Sequence, residues 1–173
     1  MDKIELSVII PTRNEEWLDR TIQDVLENSS NFTEVIIILD GWLPNPPLTQ
    51  NDSRVTLIYN PESKGQRAAT NQAVRLAKGK YIIRLDADDY LCNQYVLQDL
   101  YNKIHYSNAD IVYPDHYYGN FTTIRKGQES HHIGGAMFRT SAINYFKFTE
   151  GLRGYEGLDF FHRSHGHKSK TSV

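Results

Sequence analysis

Three carboxylates fall within four residues at Asp86, Asp88 and Asp89, directly after the run Lys80-Tyr81-Ile82-Ile83-Arg84-Leu85. Like charges held this close repel one another and raise one another's pKa unless a positive charge sits among them. A hard divalent cation, Mn²⁺ or Mg²⁺, is the natural occupant, because it takes oxygen ligands and shares them with phosphates. In an extended chain side chains alternate faces, so Asp86 and Asp88 are expected to point the same way, with Ala87 out of their path. The competing reading is a solvated acidic turn that caps the next helix. Position favours the ion: the acids follow the carboxyl end of a β-branched, aromatic run, and ligands of open α/β sheets bind at that end.

That run reads as one strand in an alternating series. Ile4 to Ile10 is a strand stopped by Pro11, and Thr12 with Glu15 has the spacing of a capping box that opens a helix. Leu18, Ile22, Val25 and Leu26 give that helix one apolar stripe, and Asn28 to Asn31 ends it. Glu34 to Asp40 is a second buried strand, again finishing in an acid. Pro44, Pro46 and Pro47 mark residues 41–53 as an irregular surface loop. Val55 to Tyr59 is a third strand. A helix is predicted from Lys64 to Lys78, with Ala69, Ala73, Leu76 and Ala77 inward and Gly79 as its stop. A helix from Gln94 to Tyr106 and a strand from Ala109 to Tyr113 follow the acidic strand. After Pro114 the rhythm changes: His116 to Arg125 and His131 to Arg139 read as shorter strands, and Ser141 to Phe148 as a helix. The class is α/β: a Rossmann-like, mostly parallel sheet flanked by helices, with a small mixed or antiparallel extension.

The chain of 173 residues is expected to form one domain that buries about 70% of its unfolded surface. A net charge of −2 argues against a nucleic-acid partner. The single cysteine, Cys92, has no internal disulfide partner. No apolar run reaches the ~20 residues of a membrane span and no signal peptide is evident, so a soluble, cytoplasmic location is expected. Neither a Gly-x-x-x-x-Gly-Lys-Ser/Thr loop nor a Gly-x-Gly-x-x-Gly turn is present, so carboxylates and a metal would have to hold any nucleotide.

Four segments carry a family resemblance. Ser7-Val8-Ile9-Ile10-Pro11-Thr12-Arg13-Asn14-Glu15, Asp40 at the second strand's end, Asn60-Pro61-Glu62-Ser63-Lys64-Gly65 leading to Ala69-Thr70-Asn71, and Leu85-Asp86-Ala87-Asp88-Asp89 resemble family 2 glycosyltransferases. The likeness runs from about Leu6 to Asp89, with a weaker tail from Gly134 to Arg163. It implies the GT-A fold and transfer of a sugar from a nucleotide diphosphate-sugar to an acceptor hydroxyl, expected on a glycan, with inversion at the anomeric carbon. It divides the chain into a nucleotide-sugar-binding half, 1–113, and an acceptor-side half with a His-rich tail, 114–173.

The resemblance also assigns roles. Pro11, Thr12, Arg13 and Glu15 would line the nucleotide pocket, although Thr12 and Glu15 equally suit helix capping. Asp40 would accept hydrogen bonds from the base, uracil in many members, which makes a UDP-sugar the expected donor; a turn-forming Asp before Gly41 is the alternative. Lys64, Gly65 and Arg67 would pass the nucleotide, with basic side chains facing the diphosphate or merely starting a helix. Asn71 reads as a buried polar anchor. Asp86, with Ala87 beside it, would contact ribose or metal, and Asp88 would bind the metal. Gly134-Gly135 would form a small-residue turn near donor and acceptor. A cation bridging both phosphates would stabilise the charge left on the departing oxygen, and a carboxylate would deprotonate the acceptor.

The chain departs from the family at that base. Members usually read Glu-Asp-x-Asp with the first Asp as base, whereas Gly157 takes that position in Tyr155-Glu156-Gly157-Leu158-Asp159. Glu156 is expected to act as base, with Asp159 orienting or capping; alternatively the chain is a nucleotide-sugar-binding module with weak or lost catalysis. A sugar nucleotidyltransferase would want a glycine-rich basic loop where Thr12-Arg13-Asn14-Glu15 stands. Family members often add a C-terminal His as metal ligand, which points to His165 or His167 unless that segment is a frayed tail. Compactness implies that a homo-oligomer or partner domain completes the acceptor site.

Overall fold

The protein is described by a computed structural model that covers residues 3–118, 123–126, 133–146 and 148–150. Its elements are β1 (Leu6–Thr12), α1 (Leu18–Glu27), β2 (Thr33–Asp40), β3 (Val55–Asn60), α2 (Gln66–Leu76), β4 (Tyr81–Arg84), α3 (Val96–Ser107), β5 (Ile111–Val112), β6 (His116–Tyr118), β7 (Thr123–Arg125), β8 (Met137–Arg139) and α4 (Thr140–Phe146). Every residue of β1, β2 and β4 is buried, as continuous apolar runs require when helices cover both sheet faces.

The six-stranded sheet has the order β3-β2-β1-β4-β8-β5. β1 runs parallel to β2 and to β4, and β2 parallel to β3. β8 lies between β4 and β5, antiparallel to both, and is the mixed extension expected after Pro114. β6 and β7 pair with each other as a separate antiparallel ribbon, where the sequence suggests a single strand. On one face, Leu18, Ile22 and Val25 of α1 and Leu97, Leu100 and Ile104 of α3 join Val8, Ile10, Val35, Ile37 and Ile83. On the other, Ala69, Ala73 and Val74 of α2 meet Ile9, Ile36, Ile38 and Phe138. No helix among the described residues is long and apolar enough to cross a membrane.

Three local expectations are corrected. β1 does not stop at Pro11 but continues to Thr12. The odd-numbered residues of β1 turn their backbone toward β4, as the bond from Leu85 N to Ile9 O shows, but pairing with β4 ends at Ile9. Pro11 therefore lacks only an N–H that no neighbour would receive. The capping box does not form, because Thr12 is still in the strand and Asn14 turns the chain through a left-handed φ of 57°. Glu15 instead accepts from Trp17 N at 3.3 Å, and α1 begins at Leu18. Leu76, expected inward, is 43% exposed, whereas Ala69 and Ala73 are fully buried.

The amino end of the sheet holds a buried polar cluster. Ser7 Oγ donates to Glu34 Oε1 at 2.6 Å and accepts from Gly79 N at 2.9 Å, and Lys78 N donates to the same Glu34 oxygen at 2.6 Å. A Cβ on Gly79 would stand 2.6 Å from Ser7 N, so only glycine admits this approach. With this end closed by hydrogen bonds, chemistry is left to the carboxyl end.

Candidate functional site

β4 ends at Arg84, so the acids that follow are not extended. Asp86 to Asp89 form a turn in which Asp89 N donates to Asp86 O at 3.1 Å. Asp86 and Asp88 thus come to one cleft through a turn, in place of the strand alternation expected. α1 fixes that turn from the side: Thr21 Oγ1 lies 2.7 Å from the carbonyl oxygen of Ala87 and 2.9 Å from that of Asp89. Asp24 Oδ2 accepts from Leu91 N at 2.6 Å and holds its exit.

The three carboxylates have different surroundings. Asp86 accepts from Arg84 Nη2 at 2.5 Å and from Gln66 Nε2 at 3.1 Å. The Arg84 side chain is only 3% exposed, so a built-in cation lies beneath the acids. Asp89 Oδ2 accepts from Asp86 N at 3.2 Å. Burial, and then the charges of Asp86 and Asp88, push the Asp89 carboxyl up to about 6, against the lowering effects of the Asp86 N–H and Arg84. Asp88 is exposed and makes no hydrogen bond or ion pair among the described residues.

A consequence is measurable. The folded chain holds the Asp89 proton more tightly than the unfolded chain, whose ordinary value is 3.8. Stability therefore falls as pH rises from about 4 to about 6, and the full penalty is present above that window. Asp89→Asn keeps an oxygen for Asp86 N and removes the charge. Chemical denaturation should find the variant more stable by roughly 1 kcal/mol at pH 7.5, with the gap closing at pH 4.

Two cavities meet at this turn. A cleft of about 230 Å³ is lined by Pro11, Thr12, Arg13, Glu15, Gln66, Asp86, Ala87 and Asp88. Seven of these eight are residues the sequence assigned to nucleotide and metal, so distant segments converge as expected. Thr12 Oγ1 is buried there with no hydrogen-bond partner among the described residues, the signature of a hydroxyl that a ligand would satisfy. A larger cavity of about 860 Å³ lies on the other side of the turn and includes Asp88, Asp89, Tyr90, Tyr117, Gly134 and Gly135. Gly135 has a φ of 75° and donates to Arg84 O at 2.7 Å, tying this wall to β4. Asp88 belongs to both cavities.

Other expected residues lie elsewhere. Asp40 is 3% exposed, and its carboxylate accepts from Asn60 Nδ2 at 3.0 Å, Ser63 Oγ at 2.7 Å, Lys64 N at 3.0 Å and Gly65 N at 2.9 Å. Burial alone would raise its pKa, but these bonds from Lys64, Ser63, Asn60 and Gly65 hold it below the ordinary value. With these bonds to both carboxylate oxygens, Asp40 shapes the turn before α2. Gly65 adopts φ 89°, ψ 155°, a glycine region that starts α2 two residues later than expected. Lys64 enters this turn through its backbone. Arg67 is buried and donates to Thr149 O at 2.9 Å, so it is an anchor for the chain after α4 and not a wall of either cavity. Asn71 is the expected polar anchor, bonded both ways to Phe148 at 2.8 and 2.9 Å.

Gln66 and Arg84 are functional neighbours that the sequence reading missed. Arg84 was legible as the one charge inside an apolar strand; Gln66 carried no signal. Glu156, Asp159, His165 and His167 lie outside the described residues, as do Gly157 and the pair His131-His132. Among the described residues no group of three or more His, Cys, Asp or Glu side chains is arranged to hold a metal. The donor set at the cleft is nonetheless oxygen only, and Asp88 offers an unengaged carboxylate, which fits an ion that takes one or two protein carboxylates and completes its shell with phosphates.

The family model described as glycosyl transferase family 2 matches residues 7–168. The glycosyltransferase GlyG of Streptococcus pneumoniae is 27% identical over 72% of this chain and 44% of its own length. The Escherichia coli protein WfgD, named as a UDP-Glc:alpha-D-GlcNAc-diphosphoundecaprenol beta-1,3-glucosyltransferase, is 31% identical over 73% of this chain and 54% of its own. The chain thus spans about half the length of these curated relatives. In fold it is similar to S. aureus TarS 1-349 in complex with UDP-GlcNAc, with TM-score 0.73 and 18% identity over 92% of this chain and 52% of that one. It is also similar to the mannosyltransferase PcManGT of Pyrobaculum calidifontis in complex with GDP-Man and Mn²⁺, with TM-score 0.72 and 16% identity over 97% and 54%.

Proposed function

The chain belongs to glycosyl transferase family 2, and from that premise we propose that it moves a sugar from a nucleotide diphosphate-sugar to an acceptor hydroxyl, with a divalent ion and with inversion. The observation that carries this reading is the position of Asp88, at the junction of the small cleft and the larger cavity. The small cleft takes the diphosphate side of the donor. Thr12 donates its unsatisfied hydroxyl there, and Gln66 and Arg84 keep Asp86 fixed beside it. Asp88 would hold Mn²⁺ or Mg²⁺ together with the donor's phosphates. When bound, that ion offsets the negative charge that develops on the leaving diphosphate. At 230 Å³ the cleft is smaller than the ~300–1,000 Å³ of pockets that enclose a whole ligand, so the donor's sugar reaches past Asp88 into the larger cavity.

The acceptor enters from the larger cavity. Its hydroxyl oxygen forms a bond to the anomeric carbon as the bond to the diphosphate oxygen breaks on the opposite face, and its proton passes to a carboxylate. Glu156 fills that role in this reading, with Asp159 orienting it and His165 or His167 available as further ligands. In this reading the part before residue 113 binds the donor, with the cleft lined from the end of β1, the start of α2 and the turn after β4, and the part after Pro114 serves the acceptor, adding Tyr117, Gly134 and Gly135 to the cavity. A partner domain or second copy that completes the acceptor side is part of the same proposal.

Gly157 favours one competing reading, a module that binds nucleotide-sugar without transfer. A thermal-shift screen of UDP, GDP and their sugars, with and without Mn²⁺, tests what both readings share. A ligand specific to the native state raises the melting temperature by mass action. A shift that needs both a nucleotide diphosphate and the ion is expected; no shift with any of them overturns both readings. Chromatographic detection of released UDP or GDP then separates transferase from binding module.

A further inference from the structure

We propose that a second copy of the chain docks on the outer edge of β3, the two β3 strands pairing antiparallel about a two-fold axis at Leu57. The inference goes beyond the transferase reading and does not depend on it. β3 ends the six-stranded sheet and, among the described residues, pairs only with β2. The opposite end of that sheet is β5, just two buried residues. β3 is six residues long, Val55 to Asn60, and keeps an unbroken register with Val35 to Asp40. It holds no charge, no proline and no bulge, the devices with which sheets keep an edge from pairing. Leu57 and Tyr59 stand 45% and 46% exposed along it.

The backbone of this edge matches itself. Arg54 O accepts from Val35 N and Asn60 O from Gly41 N, both at 2.9 Å, so the even-numbered residues turn their backbone toward β2. Val55, Leu57 and Tyr59 therefore turn theirs outward. A two-fold axis at Leu57 sets it against the second copy's Leu57, and Val55 against that copy's Tyr59. Leu57 N and O then bond in both directions, and each Tyr59 N donates to the facing Val55 O. Val55 N, which this pairing leaves over, already donates to Asp52 O at 3.0 Å. That self-matching row is what selects a second copy over an unrelated strand.

The side chains fit as well. Val55 packs with Trp42 and Leu48 on the α1 side of the sheet, so Leu57 and Tyr59 lie on that side too. Across the axis each copy's Leu57 and Tyr59 cover the other's, and no charge within β3 meets a like charge. Asp52, which comes toward Glu62 of the other copy, is already paired with Arg54 at 2.8 Å. The contact is short, so the dimer is a reversible one. β2 and β1 separate this edge from β4 and the turn after it, so the contact is distinct from one that would complete the acceptor side.

Sedimentation equilibrium of the 173-residue chain, across a concentration series into the millimolar range, tests this. Reversible conversion of monomer to dimer is expected, with or without nucleotide. Leu57→Lys sets like charges face to face on the axis and should weaken association about tenfold or more. Its circular dichroism should stay that of the parent, because the position is half exposed. The register is tested separately with single cysteines in a Cys92→Ser background. Facing residues of a hydrogen-bonded pair stand ~5.5 Å apart at Cα, within disulfide range, so Leu57→Cys should cross-link to a dimer on oxidation. Thr56→Cys, which faces Ile58 of the other copy, should not. The cysteine variants decide even where Leu57→Lys does not fold. A chain that stays monomeric throughout, a dimer indifferent to Leu57→Lys, or equal cross-linking of the two cysteine variants overturns the proposal. Absence of the nucleotide-dependent thermal shift overturns the transferase reading and leaves this one standing.

Discussion

Asp88→Ala should remove metal-dependent donor binding while leaving the fold intact. Asp88 is exposed and makes no bond among the described residues, so its loss should change stability by no more than about 0.5 kcal/mol. Its loss also relieves Asp89 of one neighbouring negative charge. Donor binding behaves differently. Asp88 is the carboxylate common to both cavities, and a direct ligand of the ion should matter at least as much as the outer partners of metal sites, whose loss costs about 10–100-fold. Calorimetric titration of UDP with Mn²⁺ should fall by about a hundredfold or more, and binding without the ion should hardly change. Unaltered titration would remove Asp88 from the site.

Asp40→Asn should produce the largest loss of stability at a single position away from the core. An amide offers one acceptor oxygen where the carboxylate offers two, and it turns an N–H₂ toward groups that are themselves donors: Asn60, Ser63 and the N–H groups of Lys64 and Gly65. Each buried donor left without a partner costs about 1–3 kcal/mol, so a total near 3 kcal/mol is expected after partial re-solvation. The acid limb should change as well. Because the Asp40 carboxyl sits below its ordinary value in the folded chain, its contribution is complete above about pH 4 and is lost as pH falls through the folded pKa. The parent should therefore lose stability below pH 4 more steeply than the variant. Donor binding should weaken too, since the 63–65 turn delivers Gln66 to Asp86.

The parallel half of the fold was legible because its signals are local. Runs such as Val35 to Leu39 and Tyr81 to Ile83 are apolar throughout, and each is followed by a break that marks its end. The convergence of Thr12, Asp86 and Asp88 was also legible, since strand ends of a parallel sheet gather on one edge. What failed depended on tertiary contacts. Whether Thr12 starts a helix or ends a strand is decided by pairing with Leu39 on β2, which spacing alone does not encode. The charges of Asp40 and Arg67 did not reveal the structural bonds they make: Asp40 accepts from Asn60, Ser63 and the backbone of Lys64 and Gly65, and Arg67 donates to Thr149 O, 82 positions away. Gln66 is an ordinary residue on a helix until the turn at Asp86 comes within 3.1 Å of it.

The central claim is that the exposed carboxylate at the junction of the two cavities gathers an ion and a nucleotide's phosphates. Anomalous diffraction at the manganese edge, from crystals grown with Mn²⁺ and UDP, addresses it directly. The account predicts a manganese peak at direct coordination distance from an Asp88 oxygen, with diphosphate oxygens on its other side and Thr12 Oγ1 hydrogen-bonded to the ligand. Diphosphate bound away from the cleft, or manganese with Asp88 still facing solvent, would contradict it.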